Sequence, residues 1–180
     1  MKHIFYHLAA VMVVVVWGMT FISTKVLIVH GLSPQEIFLF RFLLAYAAVC
    51  PISFHRFFAR NLKDELYLVG GGVLGGSLFF FLQNMALGLT QASNVSFIIC
   101  TTPLLTAVLT VLSVRTEKLS RGFIHGSIIA LLGVGLLIFN GSFILRISPL
   151  GDLLTLLASL SWAFYSLVIR SLTRKYSPAF

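Results

Sequence analysis

The sequence predicts an all-α integral membrane protein with six transmembrane helices, and three observations carry this prediction. The hydrophobic fraction of the 180 residues is 58% and the charged fraction only 10%, whereas soluble domains keep roughly a quarter of their residues charged. Apolar stretches of about 20 residues, the length that crosses a bilayer, recur along the chain. Ten of the thirteen lysines and arginines fall on one side of the membrane when these stretches alternate in direction.

Short polar separators with glycine, proline or charged residues divide the chain into its predicted spans. The separators are 31–34, 55–65, 90–93, 115–121 and 142–150. They leave predicted spans at 8–29, 35–54, 66–88, 94–114, 122–141 and 151–170. None of the separators is long or polar enough to form a soluble domain.

The first span follows Lys2 and therefore resembles a secretory signal peptide. At about 20 residues it is long enough to cross the bilayer, and no small-x-small cleavage pattern follows it. We therefore expect an uncleaved helix. The fourth span contains Pro103, which removes a backbone donor and frees a carbonyl within the membrane.

Orientation follows from the positive-inside rule, by which short cytoplasmic loops are rich in lysine and arginine. The ten residues on one side are Lys2, Arg56, Arg60, Lys63, Arg115, Lys118, Arg121, Arg170, Arg174 and Lys175. The chain is thus predicted to be a multi-pass cell-membrane protein with a cytoplasmic N-terminus. The net charge of +8 is explained by these loops, so no nucleic-acid partner is expected.

Similar patterns surround the two tryptophans, which are 145 residues apart. Trp17 and Trp162 are each followed eight positions later by a cation, Lys25 and Arg170. Five predicted spans lie between the start of the first copy and the start of the second. Because five is an odd number, the second copy crosses the membrane in the direction opposite to the first. This is the pattern of an inverted-topology repeat, typical of secondary transporters. It predicts a first repeat over 1–145 and an incomplete second repeat over 146–180.

Several short motifs occur in the order and spacing of a known family. They are Trp17-Gly18-x-x-Phe21-x-x-x-Lys25, Arg41-Phe42, Ala86-Leu87-x-x-Thr90-x-Ala92-x-x-Val95, Pro103-Leu104, Glu117-Lys118-Leu119-Ser120, Gly133-Val134, Gly151-Asp152 and Ser161-Trp162-Ala163. In these the chain resembles the EamA-type members of the drug/metabolite transporter superfamily. The resemblance implies ten helices in two five-helix repeats, a C-terminal repeat missing here, and transport of small metabolites such as amino acids, often as export.

Two cations inside predicted spans are candidate substrate-binding residues, because a charge in the bilayer is costly and needs a reason. Arg41 lies about seven residues into the second span, where its guanidinium could bind a carboxylate or phosphate. Its alternatives are snorkelling to the headgroups and pairing with Glu36. Lys25 lies about one turn from the outer end of the first span, so snorkelling is easier for it.

The other candidate substrate contacts are aromatic or polar. Trp17 and Trp162 fall near mid-helix, outside the usual interfacial belts, where an indole either packs or lines a cavity. Gln83, Asn84 and Asn94 give the third and fourth spans a polar share, beside Pro103. For these amides the alternative is hydrogen bonding between helices.

Competing functions find less support. The chain has no zinc-protease motif, nucleophile elbow or close pair of buried carboxylates, so neither an enzyme nor a metal or other cofactor is expected. If Phe180 were the true end, the alternative would be a non-transporting or oligomer-forming six-helix protein, whose partners in a homo-oligomer would be further copies of the same chain. The predicted function is transport of a small-molecule metabolite across the lipid bilayer by alternating access.

Overall fold

The structure is a computed structural model that describes residues 2–51, 61–113, 119–139 and 148–173. Within these ranges the chain is helical and without strands. The helices are α1 (Lys2–Val29), α2 (Pro34–Val49), α3 (Leu62–Leu89), α4 (Ala92–Ser113), α5 (Arg121–Phe139) and α6 (Pro149–Leu172). An all-helical fold is confirmed, and a helix occupies each predicted span.

Four of these helices, α1, α3, α4 and α6, are long and apolar enough to cross a membrane. The described part of α2 has 16 residues, and the apolar part of α5 that can be assessed is shorter than a full span. A total of six spans therefore stays a prediction. So does the repeat boundary at residue 145, which lies outside the described residues. Several lysines and arginines used in the orientation argument also lie outside the described residues: Arg56, Arg60, Arg115, Lys118, Arg146, Arg174 and Lys175.

The start of α2 is set by a capping box. The Ser33 hydroxyl accepts a hydrogen bond from the Glu36 backbone N–H at 3.3 Å, and the Glu36 carboxylate accepts one from the Ser33 N–H at 2.8 Å. Pro34 occupies the first turn, where its missing N–H costs nothing. This reciprocal arrangement satisfies two helix-end donors. It also occupies the carboxylate that the sequence offered as an alternative partner for Arg41.

Helix α4 is interrupted at Thr101, between segments Ala92–Cys100 and Thr102–Ser113. Pro103 follows two residues later and has no N–H to continue the helical hydrogen bonds. The Thr101 hydroxyl and the Thr101 N–H both donate to the Ile98 carbonyl, at 2.6 and 3.0 Å. The proline thus produces the mid-span irregularity that the sequence predicts.

Helix α6 packs along α3 and α4, and its contacts define the directions of the helices. Along α3 the partners run in reverse order, with Thr90 beside Asp152, Phe79 beside Trp162, and Gly71 beside Ile169. Helices α3 and α6 are therefore antiparallel.

Helix α1 runs in the same direction as α3. Trp17 contacts Phe79, and Lys25 contacts the end of α3 at Leu87 and Thr90. It follows that α1 and α6 run in opposite directions, as an inverted repeat requires of its two first helices.

Helix α3 widens to π-helical hydrogen bonding over Gly72–Leu78. The Leu74 carbonyl accepts the Phe79 N–H and also the Ser161 hydroxyl of α6 at 2.8 Å. Glycines on this segment allow α6 to approach closely, as small residues do in membrane helix pairs. A Cβ at Gly75 would lie 2.5 Å from the Tyr165 ring.

We expect Gly75→Ala to destabilise the protein, because the clash falls at the root of the Tyr165 ring and α3 and α6 must move apart. Overpacking of this kind costs about 1–3 kcal/mol. Gly72→Ala is the matched control, since a Cβ there has no neighbour within 4 Å. Thermal unfolding of the purified protein in detergent compares the two. Equal melting temperatures for both variants would contradict the packing of α6 on this glycine.

Candidate functional site

Three aromatic side chains form a layer across the bundle, and two of them are the related tryptophans. The ring centroids of Trp17 and Trp162 are 5.8 Å apart, and Phe79 lies 4.7 Å from Trp162 and 6.5 Å from Trp17. These separations are typical of favourable aromatic pairs. Helices α1, α3 and α6 therefore meet through this aromatic layer.

A cavity of about 660 Å³ borders the aromatic layer. Trp17, Phe79 and Trp162 contribute to its lining, and the interrupted helix α4 contributes Ile99, Cys100, Thr102, Pro103, Thr106 and Ala107. Its size is in the range of small-molecule sites, which are mostly apolar with a few polar groups. The polar groups here are hydroxyls, including Thr102, Thr106 and Ser166. Among the described residues, no charged side chain lines it.

The cavity lies on one side of the aromatic layer. Ser166 is one turn beyond Trp162 toward the C-terminal end of α6, and the lining of α4 extends from Ile99 to Ala107, away from Thr90. This end of the bundle also carries the N-terminus of α1, as the helix directions require.

The other side of the aromatic layer is closed by a dense core. Ala86 and Leu87 of α3, Val95 of α4 and Ala158 of α6 are completely buried there. They form one apolar cluster with Phe21 and Phe79. The cavity thus lies on one side of the aromatic layer and the packed core on the other.

Within the packed half lie polar side chains that lack partners. Gln83 and Asn84 are 0% and 1% exposed, and neither the oxygen nor the nitrogen of either amide has a hydrogen-bond partner among the described residues. The Ser159 hydroxyl of α6 is also buried and unpartnered. Such groups normally find partners, and leaving one unsatisfied costs about 1–3 kcal/mol. Their position one turn beyond Phe79 puts this cost next to the aromatic layer.

At the far end of the packed half, Lys25 ties α1 to the end of α3. Its ammonium donates to the carbonyls of Leu87 at 2.6 Å and Thr90 at 2.8 Å. The Thr90 hydroxyl accepts from Asn94 Nδ2 at 3.4 Å and donates to Asp152 Oδ1 at 3.5 Å. Helix C-terminal carbonyls lack internal partners and attract cations. This polar cluster therefore joins α1, the α3–α4 turn and α6.

Arg41 lies apart from the cavity. Its guanidinium carbon is 5.4 Å from the centroid of the Phe80 ring, within the range of cation–π attraction. Nη1 is buried and has no hydrogen-bond partner among the described residues. Arg41 therefore packs on the α2 side of α3, and its role in substrate binding stays a prediction.

The structure brings together only part of the predicted site. Trp17, Trp162 and Pro103 line one cavity, whereas Lys25 and Asn94 meet at Thr90 and Gln83 and Asn84 lie in the packed half. None of these positions tests binding, so the roles of all eight residues stay predictions.

Sequence reasoning did not single out Phe79, Cys100, Thr106 or Ser166. Phe79 stands in the run Phe79-Phe80-Phe81, and no local signal distinguishes the ring that faces the cavity. For all four residues, the only sequence signal that could have identified them is their helical phase relative to Trp17 and Trp162.

Comparison with known proteins agrees with this architecture. The EamA-like transporter family matches residues 4–139. An uncharacterized transporter of Bacillus subtilis, YcxC, is 27% identical over 175 residues, covering 94% of this chain and 55% of that protein. The chain thus spans about half the length of this curated relative. No solved structure matches the chain. The match over most of its length places the chain in the EamA-like transporter family, whose members are multi-pass membrane transporters of small solutes.

Proposed function

We propose that the chain is the N-terminal portion of an exporter of small metabolites that works by alternating access. The observation that carries the proposal is the one-sided cavity on the layer of Trp17, Phe79 and Trp162. A site that faces one end of a bundle while the other end is packed corresponds to one state of an alternating-access cycle.

The side on which the cavity lies supports export as the proposed direction of transport. The cavity extends toward the end that holds the N-terminus of α1, and the positive-inside rule assigns this end to the cytoplasm. An exporter collects its solute from the cytoplasm, and the cavity supplies the matching access. The second repeat would complete the site from the opposite direction.

The chemistry of the lining favours a solute with an apolar body and no net charge. Indole and phenyl rings cover one wall, and the hydroxyls of Thr102, Thr106 and Ser166 supply the polar contacts. The Thr102 hydroxyl is buried at the cavity wall and has no hydrogen-bond partner among the described residues. A zwitterionic amino acid with an apolar side chain combines these properties, so apolar and aromatic amino acids are the first solutes to test.

The buried amides support a path that continues past the aromatic layer. Gln83 and Asn84 lie one turn beyond Phe79, in the half that must open when the solute leaves on the far side. Opening would hydrate these amides or pair them with the solute, and so remove the cost of their unsatisfied state.

Cysteine protection tests the proposed binding site. Cys100 lines the cavity and is exposed, so a membrane-impermeant maleimide applied from the cytoplasmic side should label it. In the full gene product with every other cysteine replaced by serine, we expect a transported amino acid to slow this labelling. Counterflow of radiolabelled amino acids in proteoliposomes identifies which solutes are transported.

A variant that retains only Cys50 is the matched control, because this half-buried cysteine does not line the cavity. Its labelling should be unchanged by the solute. Transport of a solute that leaves Cys100 labelling unaffected would contradict the assigned site. Labelling of Cys100 from the outer side alone, in every condition, would contradict the proposed direction.

A further inference from the structure

We infer that Lys25, Thr90 and Asp152 form the gate that closes the bundle on the side away from the cavity. The inference rests on the proposed alternating-access cycle and assigns one step of it to particular residues. Lys25 then acts as a positioning residue that holds the cavity open to one side, without contacting the solute in this state.

The first part of the gate joins α1 to α3. The Lys25 ammonium donates two short hydrogen bonds, to Leu87 O and Thr90 O, at 2.6 and 2.8 Å. Both carbonyls belong to the last turn and the C-cap of α3, where the helix offers unpaired acceptors and partial negative charge. Charge-assisted bonds of this kind are stronger than neutral ones, so Lys25 fastens the end of α1 to the end of α3.

The second part joins α6 to the same turn. The Thr90 hydroxyl donates to Asp152 Oδ1 at 3.5 Å, and Asp152 Oδ2 accepts from the Ser148 N–H at 3.2 Å. Gly151 makes this approach possible, because a Cβ there would lie 2.9 Å from Thr90 Cβ. Thr90 is therefore the common partner of both first helices of the predicted repeats.

These contacts have the position and the strength that a gate requires. They lie beyond the packed core, and α1 and α6 must separate from Thr90 before a solute can leave on that side. A few polar bonds near the end of the bundle can break and form again as water enters, whereas an interdigitated apolar core exchanges slowly. The cation also lies opposite the open end, where loss of its bonds would shift the balance between the two states.

The test measures from which side Cys100 can be labelled in the full gene product, with all other cysteines replaced. Right-side-out and inside-out vesicles expose opposite faces to an impermeant maleimide. Lys25→Met should raise the rate of labelling from the outer side about tenfold, which corresponds to a shift of about 1.4 kcal/mol between the two states. Gly151→Val should do the same from the α6 side, without altering any charge.

Lys25→Arg and Ser23→Ala are the matched variants. Arginine keeps the donors and should restore much of the closure. Ser23 is exposed on the same helix, and its hydroxyl donates to the Met19 carbonyl of that helix, so its loss should change nothing. The gate alone would be overturned if solute raised outer-side labelling of the wild type while neither Lys25→Met nor Gly151→Val raised the labelling rate above that of the wild type. Labelling from only one side in every variant and condition would overturn alternating access itself. If Lys25→Met is not produced in folded form, Gly151→Val decides the question.

Discussion

Replacing the two buried amides by apolar side chains of similar shape, Gln83→Met with Asn84→Leu, is expected to raise thermal stability and to slow transport at least about 30-fold. Most single substitutions lower the stability of a protein. Opposite signs for the two properties are therefore diagnostic of a polar group that the resting state does not satisfy.

The gain in stability follows from the surroundings of the amides. Both side chains are fully buried, and their four polar atoms have no hydrogen-bond partner in the described part of the chain. An unsatisfied buried group costs about 1–3 kcal/mol, and apolar replacement of similar shape removes this cost. The packed half of the bundle should then unfold at a higher temperature.

The loss of transport has the same physical origin. In the wild type, opening of the packed half allows water or solute to satisfy the amides and so favours the open state. The apolar variant loses this gain, so opening costs about 2 kcal/mol or more in addition to its cost in the wild type. The open population then falls at least about 30-fold. The cycle would then remain in the state with the cavity open to the cytoplasm.

Counterflow rates and melting temperatures of the purified full-length protein measure the two effects together. Phe81→Leu is the control, because this residue lies on the same helix and is 39% exposed. A double variant that is less stable than the wild type would mean that the amides are satisfied in the native protein. Transport at the wild-type rate would remove them from the solute path.

The all-helical fold was predictable because apolar stretches of bilayer length are a strong, local signal. Pro34 and Pro103 mark a helix start and a mid-span interruption through backbone chemistry alone. The π-helical segment of α3 was not predicted. The glycines that indicate close packing do not specify how the backbone bonds shift when a partner helix such as α6 approaches.

The site was less predictable because it depends on which helix faces meet. The repeat pattern singled out Trp17 and Trp162, and the structure joins them in one layer. The cost of a charge in the bilayer made Lys25 and Arg41 candidates together, yet Lys25 bonds the end of α3 and Arg41 packs on Phe80. Helical phase and the direction of a long side chain decide such outcomes, and neither follows from the composition of a span.

We expect Trp17→Ala and Trp162→Ala each to weaken solute binding by at least about tenfold, and the double variant to be little worse than either single one. Both rings contribute to the same layer, 5.8 Å apart. Removal of one indole leaves the other without its aromatic partner. The second substitution therefore removes little further binding free energy. Residues that act as one unit deviate from additivity by about 0.5–3 kcal/mol in such cycles.

Trp162→Phe should retain most of the affinity, because a phenyl ring still packs on Phe79 at the edge of the cavity. Phe164→Ala is the matched control, since Phe164 is two residues away on α6 and 47% exposed. The affinity is read from the solute concentration that halves the rate of Cys100 labelling, which separates binding from transport rate. Because truncation of a large core residue costs about 3–5 kcal/mol of stability, each variant is first checked for its melting temperature in detergent.

Independent effects would argue against a shared layer. If the two alanine substitutions multiplied in their effect on affinity, each tryptophan would bind the solute separately or merely support its own helix. If neither changed the affinity while both lowered the melting temperature, the indoles would be packing residues, and the solute would bind farther along α4, near Thr106. A non-additive loss places the solute against a surface built by two helices of opposite direction. In that arrangement, movement of α1 against α6 necessarily changes the shape of the binding site.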